Sequence, residues 1–228
     1  MTIERATGLV LRTRPLTETS LIVHWITPDY GRLATVAKGA RRPTSPFRGK
    51  LDIFYLAEFS FQRSRRSDLH TLREVGLRQT HPHLREDYAR LRQAAYGALL
   101  VEQMTEADTP LPVIYDLLVQ LVDCLDSDGA RPQYVLAFEL KLLAEGGQAP
   151  DWGAARLPSA SRDLARQLAA IELHEAARLD PPSKALAEVG TFLERFLVYH
   201  LDRVPRGRDE AIAARSPTAS PTDARPGR

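Results

Sequence analysis

Ten cations in the first third of the chain stand where a phosphate backbone could be met. Arg12 and Arg14 lead out of a first β-like run, Lys38, Arg41, Arg42, Arg48 and Lys50 bracket a longer connection, and Arg63, Arg65 and Arg66 crowd a short turn. A polyanion requires several cations spaced along a groove, and connections free of packing duties can supply them. The run Lys38-Gly39-Ala40-Arg41-Arg42, followed by Pro43, Ser45 and Pro46, is the densest of the three groups and has nothing in it that would fill a core. Flexible loops carrying these cations could meet a strand from both sides, with Trp25, Phe47 or Phe54 as a surface for base stacking. Taken singly, each arginine also fits a solvated surface and each aromatic a core.

Bond-making chemistry has far less to stand on. His81 and His83 flank Pro82, lack neighbours that complete a metal set, and read as linker histidines. Glu172, His174 and Glu175 lack the second histidine, four residues on, of a helical zinc motif. No Gly-x-Ser-x-Gly, phosphate-loop lysine motif or Gly-x-Gly-x-x-Gly occurs. The lone Cys124 excludes an internal disulfide and a cysteine zinc site, and its apolar setting, LLVQLVDCLD, reads as core. A non-enzymatic protein without metal or other cofactor is the expectation.

Charge distribution points the same way. The formal net charge of the 228 residues is only +2, yet residues 1–79 hold 14 Lys and Arg against 7 Asp and Glu, leaving the remainder acidic. A basic module joined to an acidic one fits a nucleic-acid binder attached to a part that meets other proteins. The N-terminus has no secretory pattern and no apolar run is long enough to span a bilayer, so a cytoplasmic location is expected.

The elements that must position the cations are five short strands, at about 7–14, 20–27, 31–38, 50–62 and 69–77. The second and third are joined by Pro28-Asp29-Tyr30-Gly31, a tight turn. In the fourth, Leu51, Ile53, Tyr55, Ala57, Phe59 and Phe61 form the inward set. From Leu84 the period turns helical, with Leu84, Tyr88, Leu91, Ala95, Ala98 and Glu102 on one face, then a stripe from Val113 to Leu125. A third helix spans about 132–145 and stops at Gly146-Gly147; two more carry Leu164, Leu168 and Ile171, then Leu186 to Leu201. The predicted fold class is α+β: a five-stranded barrel of OB-fold type over 1–79, a helical bundle over 80–202, and a disordered tail over 203–228. OB-folds bind oligonucleotides through the second and third strands and the adjoining loops.

Four runs in order, Gly8-Leu9-Val10-Leu11-Arg12, Glu18-Thr19-Ser20-Leu21-Ile22-Val23, Thr27-Pro28-Asp29-Tyr30-Gly31-Arg32 and Ala37-Lys38-Gly39-Ala40-Arg41-Arg42, resemble the N-terminal barrel of the RecO family. Leu72-Arg73-Glu74 and Phe138-Glu139-Leu140-Lys141-Leu142-Leu143, with Gly147 and Pro150, extend the likeness over roughly residues 3 to 202. The resemblance implies a DNA repair and recombination mediator associated with the nucleoid. Such a protein binds single- and double-stranded DNA, anneals complementary strands, contacts the C-terminal tail of single-stranded DNA-binding protein, and helps RecR load the RecA recombinase. Because that tail is acidic with an apolar end, Phe192, Arg195 and Phe196 are candidate receiving residues, although the spacing of the two phenylalanines also fits a core. Many family members carry a four-cysteine zinc site after the third bundle helix; here 151–174 holds no cysteine, so that segment is either held by packing of Trp152, Leu157 and the helix after Ser161 or loose. An RNA-binding or protein-scaffolding OB module is the alternative, since cations read the phosphates of either polymer.

Overall fold

The computed structural model describes residues 2–215. Five strands, β1 (Ile3–Pro15), β2 (Leu21–Thr27), β3 (Gly31–Ala37), β4 (Leu56–Gln62) and β5 (Leu69–Gln79), close a barrel in the order β1-β2-β3-β5-β4. All neighbours are antiparallel except β3 and β5, which run parallel, and this is the order of an OB-fold. Alternation sends Val23 and Trp25, Leu33 and Ala37, and Ala57, Phe59 and Phe61 into the barrel. There the Trp25 indole stacks on Phe59 at 4.2 Å and donates to Thr35 Oγ1 at 2.9 Å.

The fourth strand begins at Leu56, not at residue 50; of the predicted inward set Ala57, Phe59 and Phe61 fill the barrel, Leu51 and Tyr55 are half-buried against the same core, and Ile53 packs on the helical core instead. The cause is local. Phe54 takes φ +60, its N–H donates to Val10 O, and β1 is bulged between Val10 and Arg12. The kink turns the Phe54 side chain out of the barrel and into the helical core.

Behind the barrel lie α1 (Tyr88–Met104), α2 (Pro112–Asp128), α3 (Pro132–Glu145), α4 (Ser159–Ala170), α5 (Ser183–Leu201) and α6 (Arg208–Ala213). α3 is buried on nearly every side and forms the centre of the bundle. The predicted face of α1 holds in part: Leu84 and Ala98 are buried and Leu91 and Ala95 pack against the core, but Tyr88 is 68 % exposed, and Gln93, Ala94, Gly97 and Leu100 also point inward. Gln93, Ala94 and Gly97 on this face are small or polar, so apolar periodicity could not reveal them. Gly97 permits the close crossing, since a Cβ there would lie 2.6 Å from Leu121 Cδ2. Of the two alternatives for the segment after α3, packing is the one observed, with Leu157 buried and Trp152 6.3 Å from Phe192 between ring centres.

The expectation of a structureless tail from residue 203 fails as far as residue 215, while 216–228 lie outside the described residues. Arg208, at the first position of α6, reaches into the bundle and forms a two-pronged pair with Glu139 of α3, at 2.7 and 2.8 Å. Tyr96 donates to the same carboxylate at 2.6 Å, and burial together with that charge holds its phenol far above the usual range. This six-residue helix is too short for periodicity to reveal, and a buried ion pair together with the fully buried Ala211 anchors it.

The two halves share a core. Leu9, Leu11 and Ile26 on the outer wall of the barrel pack with the helices. The segment joining α1 to α2 crosses the β2–β3 turn, where Asp108 N donates to Arg32 O at 2.9 Å and Leu111 N to Pro28 O at 3.1 Å. Gly31 (φ +62) admits this crossing, for a Cβ there would overlap Thr109 O at 1.8 Å. No helix among the described residues is long and apolar enough to cross a membrane.

Candidate nucleic-acid interface

The barrel topology separates the cations. β1 ends, β2 begins and β3 ends at one pole, whereas the β4–β5 turn lies at the other, beside the start of β1 and the β2–β3 turn. Arg14, Lys38, Arg41, Arg42, Arg48 and Lys50 fall at the first pole, and Arg63, Arg65 and Arg66 at the second. Arg12 belongs to neither, because it is turned along the barrel wall to pair with Glu102 of α1 at 3.2 Å.

The connection from β3 to β4 is a chain of tight turns rather than a flexible loop. Backbone bonds run from Ala40 N to Ala37 O, Arg42 N to Gly39 O, Ser45 N to Arg42 O, Arg48 N to Ser45 O and Lys50 N to Phe47 O, all between 3.0 and 3.3 Å. Phe47 plugs the barrel end. The cap is also tied to the β1–β2 loop, where Arg41 donates through its backbone N–H to Thr19 O at 2.9 Å and through its guanidinium to Thr17 O at 3.4 Å. Lys38, Arg41, Arg42 and Arg48 are exposed, as is Arg14 beside them. No ion pair among the described residues engages these or Lys50.

None of the three expected stacking residues is available, since Trp25, Phe47 and Phe54 are 0 %, 7 % and 2 % exposed. Each fills a core, and no aromatic surface replaces them on the cap. At the opposite pole Tyr30 is partly exposed at the edge of the barrel core, with the Arg63 guanidinium 5.6 Å from its ring centre. Its place in the Pro28-Asp29-Tyr30-Gly31 turn was the signal available in the sequence, since a turn leaves an aromatic partly outside the core even where its ring packs on it.

The outer face of β2 and β3, the usual OB-fold binding surface, is partly occupied. Arg32 donates to Thr105 Oγ1 at 2.9 Å, and a groove of about 230 Å³ lined by Arg12, His24, Arg32, Glu102 and Asp108 remains beside it. Burial, then the charges of Arg12, Arg14 and Arg32, push the His24 imidazole down to about 4, and its Nε2 has no hydrogen-bond partner. His70 is lowered as well, chiefly by burial, with Asp108 opposing. Both are therefore neutral in the fold at pH values where the unfolded chain, titrating near 6.5, binds protons. The stability they contribute is complete above about pH 6.5 and declines as pH falls towards 4. The urea midpoint should drop between pH 7 and 4.5, and His24→Asn should flatten that dependence; an equally steep curve in the variant would contradict the assignment.

Other candidates resolve as structure. His81 is buried, with Nε2 3.0 Å from Asp123 Oδ1, and His83 approaches Asp126 at 3.4 Å, so the pair fastens the inter-domain turn to α2. Burial first, then Asp128 and Asp123, pushes the Cys124 thiol up to about 12, which suppresses the thiolate. Among the described residues no group of three or more His, Cys, Asp or Glu could hold a metal ion. Phe192, Arg195 and Phe196 do meet on one surface, a groove of about 1240 Å³ between α5 and residues 150–158. Arg156 and Lys184 bring further positive charge there, and Asp151 and Glu188 the opposing sign. The phenylalanines have one side on the bundle core and the other in the groove.

Comparison with known proteins matches residues 1–81 to the family described as "Recombination protein O N terminal" and residues 85–154 to "Recombination protein O C terminal". Curated relatives named "DNA repair protein RecO" include that of Exiguobacterium sibiricum, 34 % identical over 65 % of this chain and 59 % of the relative. Those of Pelotomaculum thermopropionicum (33 % identical over 66 % of this chain and 57 % of the relative) and Rhodopirellula baltica (32 %, 63 % and 53 %) are similar in the same way. The matched region spans somewhat more than half the length of these relatives. With both halves matched in order, and with an OB-fold barrel followed by a helical bundle, the chain belongs to the RecO family.

Proposed function

We propose that this chain is a non-enzymatic DNA repair and recombination mediator, cytoplasmic and associated with the nucleoid. In this reading it binds single- and double-stranded DNA, anneals complementary strands, and acts with RecR and the tail of single-stranded DNA-binding protein to help load RecA. The observation that carries the DNA-binding part is the cap: five cations fixed on a chain of turns with Arg14 of β1 beside them, without carboxylate partners among the described residues and without an aromatic surface. Such a surface reads phosphate backbones and ignores base identity, so it suits either strand state and leaves base edges free to find their complements. Neutralising phosphates lowers the repulsion between two strands, and no step in that process consumes energy.

The annealing rate of two complementary oligonucleotides should therefore fall steeply as salt is doubled, while a zinc chelator or added ATP leaves it unchanged. A requirement for ATP, abolition by the chelator, or a rate independent of salt would overturn the reading. A gel shift with matched single-stranded DNA and RNA decides between the DNA reading and an RNA-binding one.

The groove holding Phe192, Arg195 and Phe196 is the proposed seat for the acidic, apolar-ended partner tail, supported by its aromatic floor and by the neighbouring Arg156 and Lys184. Fluorescence anisotropy of a labelled tail peptide against the full chain should show binding that Arg156→Glu with Arg195→Glu weakens by at least about tenfold. Unchanged affinity in the variant would place the tail elsewhere.

A further inference from the structure

The pole opposite the cap is built from different chemistry. Tyr30 packs on the barrel core, meeting Phe61 at 5.5 Å and 87°, and remains partly exposed. Arg63 lies over that ring and pairs with Glu4 at 3.6 Å, while Arg65 and Arg66, in the same turn, are exposed and have no carboxylate partner among the described residues. Three carboxylates, on Glu4, Asp29 and Asp68, stand at this pole beside the three arginines, so a phosphate gains little there from net charge. An unpaired base gains a ring and a planar guanidinium on which to stack.

We propose that this pole is a second nucleic-acid site, in which Tyr30 and Arg63 stack unpaired bases while the cap holds phosphates, so that one chain carries two strands at once. The inference rests on the cap being the first site. The seven residues of β2 put roughly 20 Å of strand between the poles, at about 3.3 Å per residue. That exceeds the Debye length of about 8 Å at physiological salt, so two strands held there scarcely repel one another. Co-localisation raises the effective concentration of each strand for its complement, an advantage that charge neutralisation alone does not give.

The test uses the full chain and two separately labelled pools of oligo-thymidylate of about 12 nucleotides, which cannot pair with each other. Energy transfer between donor- and acceptor-labelled strands, in complexes shown by sedimentation to contain one protein chain, is the expected result. Transfer should vanish in Tyr30→Leu and in Lys38→Ala/Arg41→Ala/Arg42→Ala, with each variant still binding one strand, and should persist in Tyr30→Phe. Quenching of 2-aminopurine in a single strand should be kept by Tyr30→Phe and lost in Tyr30→Leu, with affinity at that pole falling roughly tenfold. Should Tyr30→Leu fail to fold, Arg65→Ala/Arg66→Ala alters exposed positions only and must reduce transfer in its place. One strand per chain in the wild type, or transfer that survives Tyr30→Leu, overturns the second site while leaving the cap intact; transfer that survives Lys38→Ala/Arg41→Ala/Arg42→Ala removes the cap on which the proposal rests. Failure of the wild type to bind any strand removes the cap and the second site together.

Discussion

Arg208→Ala is expected to destabilise the fold by about 3–5 kcal/mol, the cost of leaving a fully buried carboxylate without its partner. Glu139 would keep the Tyr96 hydroxyl and nothing of opposite charge. For a domain of this size the loss corresponds to a fall in melting temperature of about 10 °C. Truncation after residue 202, the boundary that the sequence pattern suggested, should be at least as damaging. It removes Arg208 and also the Ala211 carbonyl to which the buried Gln93 amide donates at 2.8 Å. Replacing both members of the pair, as in Glu139→Leu/Arg208→Met, should recover much of the loss, because apolar side chains of similar volume carry no desolvation cost. Thermal melts of the four proteins check the set. A melting temperature unchanged in Arg208→Ala would show that α6 is not anchored as described.

Lys38→Ala/Arg41→Ala/Arg42→Ala is expected to weaken single-strand binding about 50-fold at physiological salt. Each phosphate contact contributes about 0.7 to the slope of log affinity against log salt, so three contacts are worth a slope of about 2 and that much affinity at 0.15 M. Arg12→Ala should change the affinity far less, because its guanidinium is already engaged with Glu102. Titrations across a range of salt concentrations measure both quantities. An unchanged slope in a triple variant that melts normally would remove the cap from the interface.

The barrel was legible because its strands alternate cleanly and its hairpin carries a Pro-Asp-Tyr-Gly turn, and α3 because proline and paired glycines bound an apolar run. What escaped depended on contacts between distant residues. The inward face of α1 is written in Gln93, Ala94 and Gly97, whose roles exist only once α2 and α6 are beside them. The ten cations were legible as a set but not as a geometry. Strand direction alone divides them between two poles, and the Arg12–Glu102 pair withdraws one from both. Trp25, Phe47 and Phe54 fit a stacking surface by residue type, and burial assigned each to a core. Tyr30 is written in the sequence as a turn residue, and its aromatic role exists only once Arg63 is beside it.

The latch between α6 and α3 also sets an order of assembly during synthesis. The barrel strands are complete at Gln79, but the buried Glu139 gains its partner only when Arg208 has been added. At translation rates of about 5–20 residues per second the interval is roughly 6–26 s. Through that interval the bundle core lacks its closing ion pair, and until the bundle docks, Leu9, Leu11 and Ile26 on the barrel wall have no helices against which to pack. The nascent chain therefore passes through a stage in which a finished, cationic barrel carries a bare apolar flank. Replacing these wall residues with polar ones would relieve that stage only by dissolving the junction that later joins the two halves.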